Sequence, residues 1–348
     1  MQESIQALLD TFPEGIVQVQ DGMVTAANTM AAHYLSQLEP GRPLPEEVVL
    51  PRGGTMGAGI FMSGASRYTY SCASKDGKQT ILFRPAPQTA LTGRQLGGTL
   101  RQMRTFLGEI LAEVGPATGD AKEELSADAF GKSFHRLLRL MDNLDYLYRS
   151  SAGELAGLRL ATMDLDGLCR HLVDQAYPLL REAGVTLDYE STERGLLIPG
   201  SPPLLQRLLL GLISNAAQAV GEGRVVLTLR RQQGRALATV SNNGPLPNPK
   251  QLSALFQEGL GEDVPLPGQG AGLGLSVARD IAALHRGSML TEWGQSSPTV
   301  VLSLPTGPLD GRASLRTPRC QVNGGLDPVL LELSDVLPVH LFGLEGLD

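Results

Sequence analysis

The run Gly268-Gln269-Gly270-Ala271-Gly272-Leu273-Gly274-Leu275 has the residue types that let a chain close around an anion. Glycines at alternate positions bring backbone N–H groups together with no side chains between them, and a helix that follows adds its positive end. Ser276 to His285 reads as that helix. Phosphates are the expected occupants. A dinucleotide-binding turn would need a strand directly ahead of the glycines, and Asp263-Val264-Pro265-Leu266-Pro267 does not supply one. Taken alone, such a run is about as often a structural turn.

Three further elements precede it in order. Leu212-Ile213-Ser214-Asn215-Ala216-Ala217-Gln218-Ala219-Val220 is an apolar helix carrying one amide where an apolar residue would fit; Val240-Ser241-Asn242-Asn243-Gly244-Pro245 ends a strand in a turn; Leu255-Phe256 closes a short helix. Together with the glycines they resemble the nucleotide-binding domain shared by histidine kinases, type II topoisomerases, Hsp90-type chaperones and MutL mismatch-repair proteins. The match runs over about 140 residues, from Met163 to Pro305.

The resemblance implies ATP and Mg²⁺ as cofactors. Asn215 then matches the amide that holds Mg²⁺ against the triphosphate, in keeping with the preference of a hard cation for oxygen. Asn242 stands where the family has an Asp that accepts from the adenine amine, with Gly244 in the same turn. Phe256 and the segment Gln257 to Gln269 match the lid, and Gly268, Gly270, Gly272, Leu273 and Gly274 match the phosphate cradle. Other readings stay open. Asn215 also suits a helix amide satisfied in a core, and Asn-Asn-Gly-Pro is a turn sequence in any fold.

Departures from the pattern narrow the chemistry. Four residues before Asn215 the hydrolysing members carry a Glu that activates water; Gly211 has no side chain to act as a base. Asn242 in place of Asp exchanges a charge-assisted bond for a neutral one, about 1–2 kcal/mol or tenfold in affinity. Leu246 replaces a glycine of this box.

A histidine kinase passes phosphate to a His followed by an acidic residue and a Leu-Arg-Thr-Pro-Leu-like segment. Met103-Arg104-Thr105-Phe106-Leu107 looks like that segment, which puts Arg101 at the phosphoacceptor position and Gln102 at its acidic neighbour. A guanidinium is no phosphoryl nucleophile. His33, His135, His171, His285 and His340 all lack an adjacent carboxylate. His135 alone falls in the helical region, at the expected start of its second helix, where a packing or solvated role is expected. The reading is a histidine-kinase-like Mg-ATP-binding signalling protein with degenerate phosphotransfer. One alternative is an active kinase phosphorylating a partner or His135; another is a general ATPase of this type, disfavoured by Gly211. A response regulator or partner kinase is the implied partner.

The elements that must position these residues give an α+β multidomain chain. Residues 1–88 show two hairpin signals, Asp21-Gly22 and Asp76-Gly77, and helix-like sequence from Ala26 to Leu38, with Asn28 inside it. That order resembles a small PAS-type sensor domain. Over 89–155, Leu96, Leu100, Met103, Leu107, Ile110 and Val114 make a heptad stripe, and Phe134, Leu138, Met141, Leu144 and Tyr148 a second. Two such helices leave seams that a second copy would cover as a dimeric four-helix bundle, so a homodimer is expected. Residues 156–306 alternate helices and strands as an α/β sandwich, and 307–348 form a C-terminal tail without an assigned role. The net charge of -7 argues against nucleic acid as a partner, and no apolar run reaches a membrane span. Cys72, Cys169 and Cys320 make no metal pattern. These features predict a cytoplasmic protein with reduced thiols.

Overall fold

The computed structural model describes residues 9–51, 54–86, 93–113, 120–155, 157–245, 273–294, 298–307 and 327–343. Ten strands form one sheet in the order β2-β1-β5-β4-β3-β11-β12-β10-β9-β7. The first five are β1 (Gly15–Gln20), β2 (Met23–Ala27), β3 (Gly54–Ser63), β4 (Ser66–Lys75) and β5 (Lys78–Pro85). The others are β7 (Val185–Ser191), β9 (Gly223–Gln232), β10 (Arg235–Asn242), β11 (Ser288–Gly294) and β12 (Pro298–Pro305). All neighbours run antiparallel except β7 and β9. A separate pair joins β6 (Ala161–Asp164) to β8 (Leu197–Gly200).

Both hairpins expected near the N-terminus are present. Asp21 and Gly22, then Asp76 and Gly77, all have positive φ, as a two-residue turn needs to match strand twist. The helix expected from Ala26 to Leu38 is shorter: β2 continues to Ala27, and α1 spans only Thr29–Tyr34. Asn28 caps it. Its buried Oδ1 accepts from Ala31 N and Ile16 N, while Nδ2 donates to the Leu9 and Glu14 carbonyls, so one side chain ties α1 to the chain that precedes it.

The sheet joins two cores through β3 and β11, which pair over Met289↔Ile60 to Trp293↔Met56. Leu290 of β11 is buried with the aromatic cluster of Phe61, Tyr70 and Phe83, and Ile60 of β3 is buried with the C-terminal core. Each half therefore lends a side chain to the other. Gly59 makes this junction possible: a Cβ there would sit 2.3 Å from the Met289 carbonyl oxygen and 2.8 Å from the Tyr70 ring.

Two long helices, α2 (Gly93–Glu113) and α3 (Asp120–Ser151), pack as a hairpin. Phe106 is buried beneath the Arg136 guanidinium at 4.4 Å, and Ser133 donates to Glu109. Leu96, Leu100, Leu107, Leu111, Met141 and Tyr148 remain exposed, Leu111 to 71%. Of the two expected stripes, Leu96, Leu100, Leu107, Met141 and Tyr148 thus face outward, whereas Met103 and Leu144 pack against the core and Val114 lies outside the described residues. Cys72 and Cys169 are buried free thiols, and Cys320 lies outside the described residues. Among the described residues no helix is long and apolar enough to cross a membrane, and no cluster of metal-ligating side chains is present.

The C-terminal segment docks back on the body. Helix α4 (Leu165–Glu182) and helix α5 (Pro202–Val220) cover the sheet, and α7 (Pro328–Leu333), in sequence after the α6 helix (Leu273–Leu284), packs on α3, α4 and α5. Val329, Leu333, Leu337 and Phe342 are buried there, and Glu332 receives Arg139 of α3 at 3.1 Å and Arg207 of α5 at 3.5 Å.

Candidate nucleotide site

Helix α5 begins with Pro202-Pro203, whose missing N–H groups and fixed φ suit a first turn, and ends at Gly221 with φ 68°. Leu205, Leu208, Leu209, Leu212, Ile213, Ala216 and Ala217 are buried, so the helix is wrapped nearly all round. Asn215 interrupts that surface. It is half-buried, and no described residue hydrogen-bonds its amide. Gly211, one turn earlier on the same face, would meet no described atom within 4 Å if it carried a Cβ.

Helix α6 lies against α5 in the opposite sense. The His285 ring fixes this arrangement: Nε2 accepts from Ser201 N at 2.9 Å, so Nδ1 carries the proton and donates to the Ile281 carbonyl at 2.7 Å. The end of α6 is thereby held at the start of α5. Counting back along both helices at about 1.5 Å per residue sets Leu273, the first residue of α6, level with Ile213, two residues before Asn215. Leu273 and Leu275 are buried anchors, whereas Gly274 between them would meet no described atom within 4 Å with a Cβ added. Packing against the described residues therefore does not require glycine at 274.

Burial pushes the His285 pKa down, opposed by its bond to the Ile281 carbonyl. Below about pH 6.5 the unfolded chain takes up a proton that the folded ring resists, so this contribution is complete above about 6.5 and declines with acid. The slope reaches up to about 1.4 kcal/mol per pH unit. Urea midpoints at about pH 7.5 and 5.5 should diverge more for the wild type than for His285→Gln. Equal divergence would show that the ring is not resisting protonation.

The turn after β10 lies beside the end of α5. Asn242, 8% exposed, accepts from Gly244 N at 2.9 Å through Oδ1, and Asn243 Oδ1 accepts from Arg224 N at 2.8 Å. The oxygen expected to face an adenine amine thus already holds the turn, with its second lone pair remaining. Gly244 is needed sterically, because a Cβ there would lie 2.9 Å from the Ala219 carbonyl of α5. That contact places the turn beside the C-terminal half of the helix carrying Asn215. Phe256, Gly268, Gly270, Gly272 and Leu246 lie outside the described residues.

Arg101 is exposed on α2. His135 stands in the middle of α3 rather than at the start of its helix, since α3 begins at Asp120. It is buried, with Nδ1 2.8 Å from the Gly131 carbonyl and its ring edge-on to Phe342 at 5.1 Å. The tail that covers it was not legible as a partner from the local sequence.

Residues 200–308 match the family described as histidine kinase-, DNA gyrase B-, and HSP90-like ATPase. That match marks a GHKL-type ATPase segment, and the proteins to which the chain is similar are sensor histidine kinases. Similar proteins include sensor protein ChvG of Agrobacterium fabrum, 31% identical over 186 residues, which span 50% of this chain and 31% of that protein. Sensor histidine kinase ZraS of Salmonella typhimurium is 28% identical over 205 residues, 57% of this chain and 42% of that one. Sensor protein CutS of Streptomyces coelicolor is 30% identical over 134 residues, 36% and 31% of the two chains. The chain thus spans less than half the length of these sensor proteins. Among solved structures, the histidine kinase ThkA in complex with the response regulator TrrA covers 86% of this chain and 97% of its own, at 16% identity and a TM-score of 0.48.

Proposed function

We propose that this protein binds Mg-ATP between Asn215, the Asn242–Gly244 turn and the start of α6, and acts as a histidine-kinase-like component of a two-component signalling system without a phosphoacceptor of its own. The observation that carries the reading is the pair of unfilled positions on the facing helices. Gly274 lacks a side chain although no described atom would meet one, and the Asn215 amide has no described partner. A polar group held half-buried without a bond is costly unless something else satisfies it. Bound Mg-ATP would supply the transferable phosphoryl group; Asn215 would offer its amide oxygen to the cation, and the N-terminal turn of α6 its N–H groups to phosphate.

The degenerate part rests on Arg101 and His135. The first is a permanent cation, and the second is enclosed by Phe342 and bonded to the Gly131 carbonyl. Gly211 argues against water activation from α5. The exposed leucines of α2 favour a second copy of this chain as a dimer partner, with a PAS-like sensor in residues 1–88, the hairpin in 89–155, the ATP-binding unit in 156–306 and a response regulator or partner kinase as the onward contact.

Millimolar Mg-ATP should raise the melting temperature, by an amount equivalent to about 2.7 kcal/mol where nucleotide is a hundredfold over Kd. Chelating the metal should remove most of the shift, and radiolabelled ATP should leave no acid-labile label on the chain. Absence of any shift would sink nucleotide binding; label on this chain would sink the degenerate assignment.

A further inference from the structure

Asp280 is a carboxylate 1% exposed in the middle of α6, and its side-chain hydrogen bonds to described residues all leave that helix for the N-terminal half of the chain. Oδ1 accepts from Arg67 Nη2 of β4 at 2.6 Å. Oδ2 accepts from Tyr146 Oη at 2.9 Å and Ser150 Oγ at 2.6 Å, both on α3. One side chain of the ATPase domain thus meets the N-terminal sheet and the helical hairpin at once. Burial and the neighbouring Asp280 charge push the Tyr146 phenol well up, so it stays a donor.

The bonds belong to a longer seam. Arg139, Asn143, Tyr146 and Ser150 follow one another at four, three and four residues, one face of α3. Together they reach three other parts of the chain: Arg139 meets Glu332 and Asp335, Asn143 receives Arg207 of α5 at 2.9 Å, and the last two hold α6. Arg207 also lies over the Tyr146 ring at 5.3 Å. An apolar seam tolerates sliding, but hydrogen bonds of fixed length and direction to a buried charge define one register.

Helix α6 is the element whose first turn follows the glycine run, and Asp280 lies two turns along it. We infer that Asp280 is a positioning residue which registers α6 against the N-terminal sheet through Arg67 and against α3 through Tyr146 and Ser150, so that the state of the N-terminal half sets the nucleotide affinity of a site it does not touch. A rearrangement that withdraws Arg67 leaves a buried carboxylate short of its cation, and α6 moves to re-satisfy it. The regulated step rests on the Mg-ATP reading above; the mechanical tie does not.

The test uses the full chain and keeps the two apart. Mg-ATP affinity and amide hydrogen exchange over Leu273–Leu284 are measured for wild type, Arg67→Met, Arg67→Lys, Tyr146→Phe, Asp280→Asn and the Arg67→Met/Asp280→Asn double variant, with Lys75→Met on the same strand as control. Arg67 is 22% exposed, so its variants should fold even where Asp280→Asn does not. Arg67→Met should change nucleotide affinity at least fivefold and speed exchange in α6 at least tenfold. Arg67→Lys should restore most of both, Lys75→Met should change neither, and the double variant should be no worse than Asp280→Asn. If Arg67→Met leaves affinity within twofold and exchange in α6 unchanged, the inference is overturned. If the wild type binds no Mg-ATP, the nucleotide reading fails, and the exchange arm alone decides whether Arg67 holds α6.

Discussion

Gly59→Val should separate the two halves of the sheet, with a loss of about 3 kcal/mol or more. The only space for a side chain at 59 is already taken, on one side by the Met289 carbonyl and on the other by the fully buried Tyr70 ring. A backbone oxygen 2.3 Å from the new Cβ cannot rotate away as a flexible side chain would. Strain in a filled core costs about 1–3 kcal/mol, and here relief also requires surrendering hydrogen bonds between β3 and β11. Leu290 would leave the aromatic core and Ile60 the opposite one, which adds exposed apolar surface on both sides. The chain has a single tryptophan, Trp293, on β11 opposite Met56, so fluorescence follows this junction while far-ultraviolet circular dichroism follows the whole fold. In urea the wild type should give coincident curves and Gly59→Val two separated transitions. Coincident curves with a midpoint change worth less than about 1 kcal/mol would mean that the junction does not couple the halves.

That junction shows where the sequence was readable and where it was not. Helices α4 and α5 were legible to within a residue, because a buried apolar face, a Pro-Pro start and a glycine stop all point the same way. So were both early hairpins, whose Asp-Gly turns have no other common use. Strand β3 gave no such signal. Its Gly57 and Gly59 weaken any strand pattern, yet they are clearances for Leu290, Cys72 and Tyr70 from neighbouring strands. On α3 the heptad stripe pointed to Met141 and Tyr148, which are exposed, as well as to Leu144, which packs on the core, while the face that meets the rest of the molecule mixes Leu140 and Leu147 with Arg139, Asn143 and Tyr146. Polar residues hide a buried face from any hydrophobic pattern. Their partners Glu332, Arg207 and Asp280 are distant in the chain, so the polar contacts across this face had no local trace, although the apolar residues from Pro328 to Phe342 already suited a segment that docks on the body.

At the site itself, Gly274→Ala and Asn215→Ala should each leave the empty protein at least as stable as wild type while making it insensitive to Mg-ATP. The two halves of that statement have separate causes. Alanine is the better helix residue at both positions, by about 0.5–1 kcal/mol, and neither substitution breaks a bond to a described residue or meets a described atom at 274. If the glycine exists so that phosphate can approach the backbone of α6, a methyl group there holds the anion off its N–H donors. If the amide exists for the cation, its removal strips one oxygen ligand. Each loss should be about 2–3 kcal/mol, or 30- to 150-fold in affinity, enough to abolish the melting shift at millimolar nucleotide. A residue kept for folding behaves in the opposite way, losing stability first and ligand only as a consequence. Isothermal titration with Mg-ATP, beside melting curves without it, separates the cases. Retention of wild-type affinity in both variants would remove α5 and α6 as the walls of a nucleotide cleft, whereas loss of affinity in stable proteins would tie the two unfilled positions to one ligand.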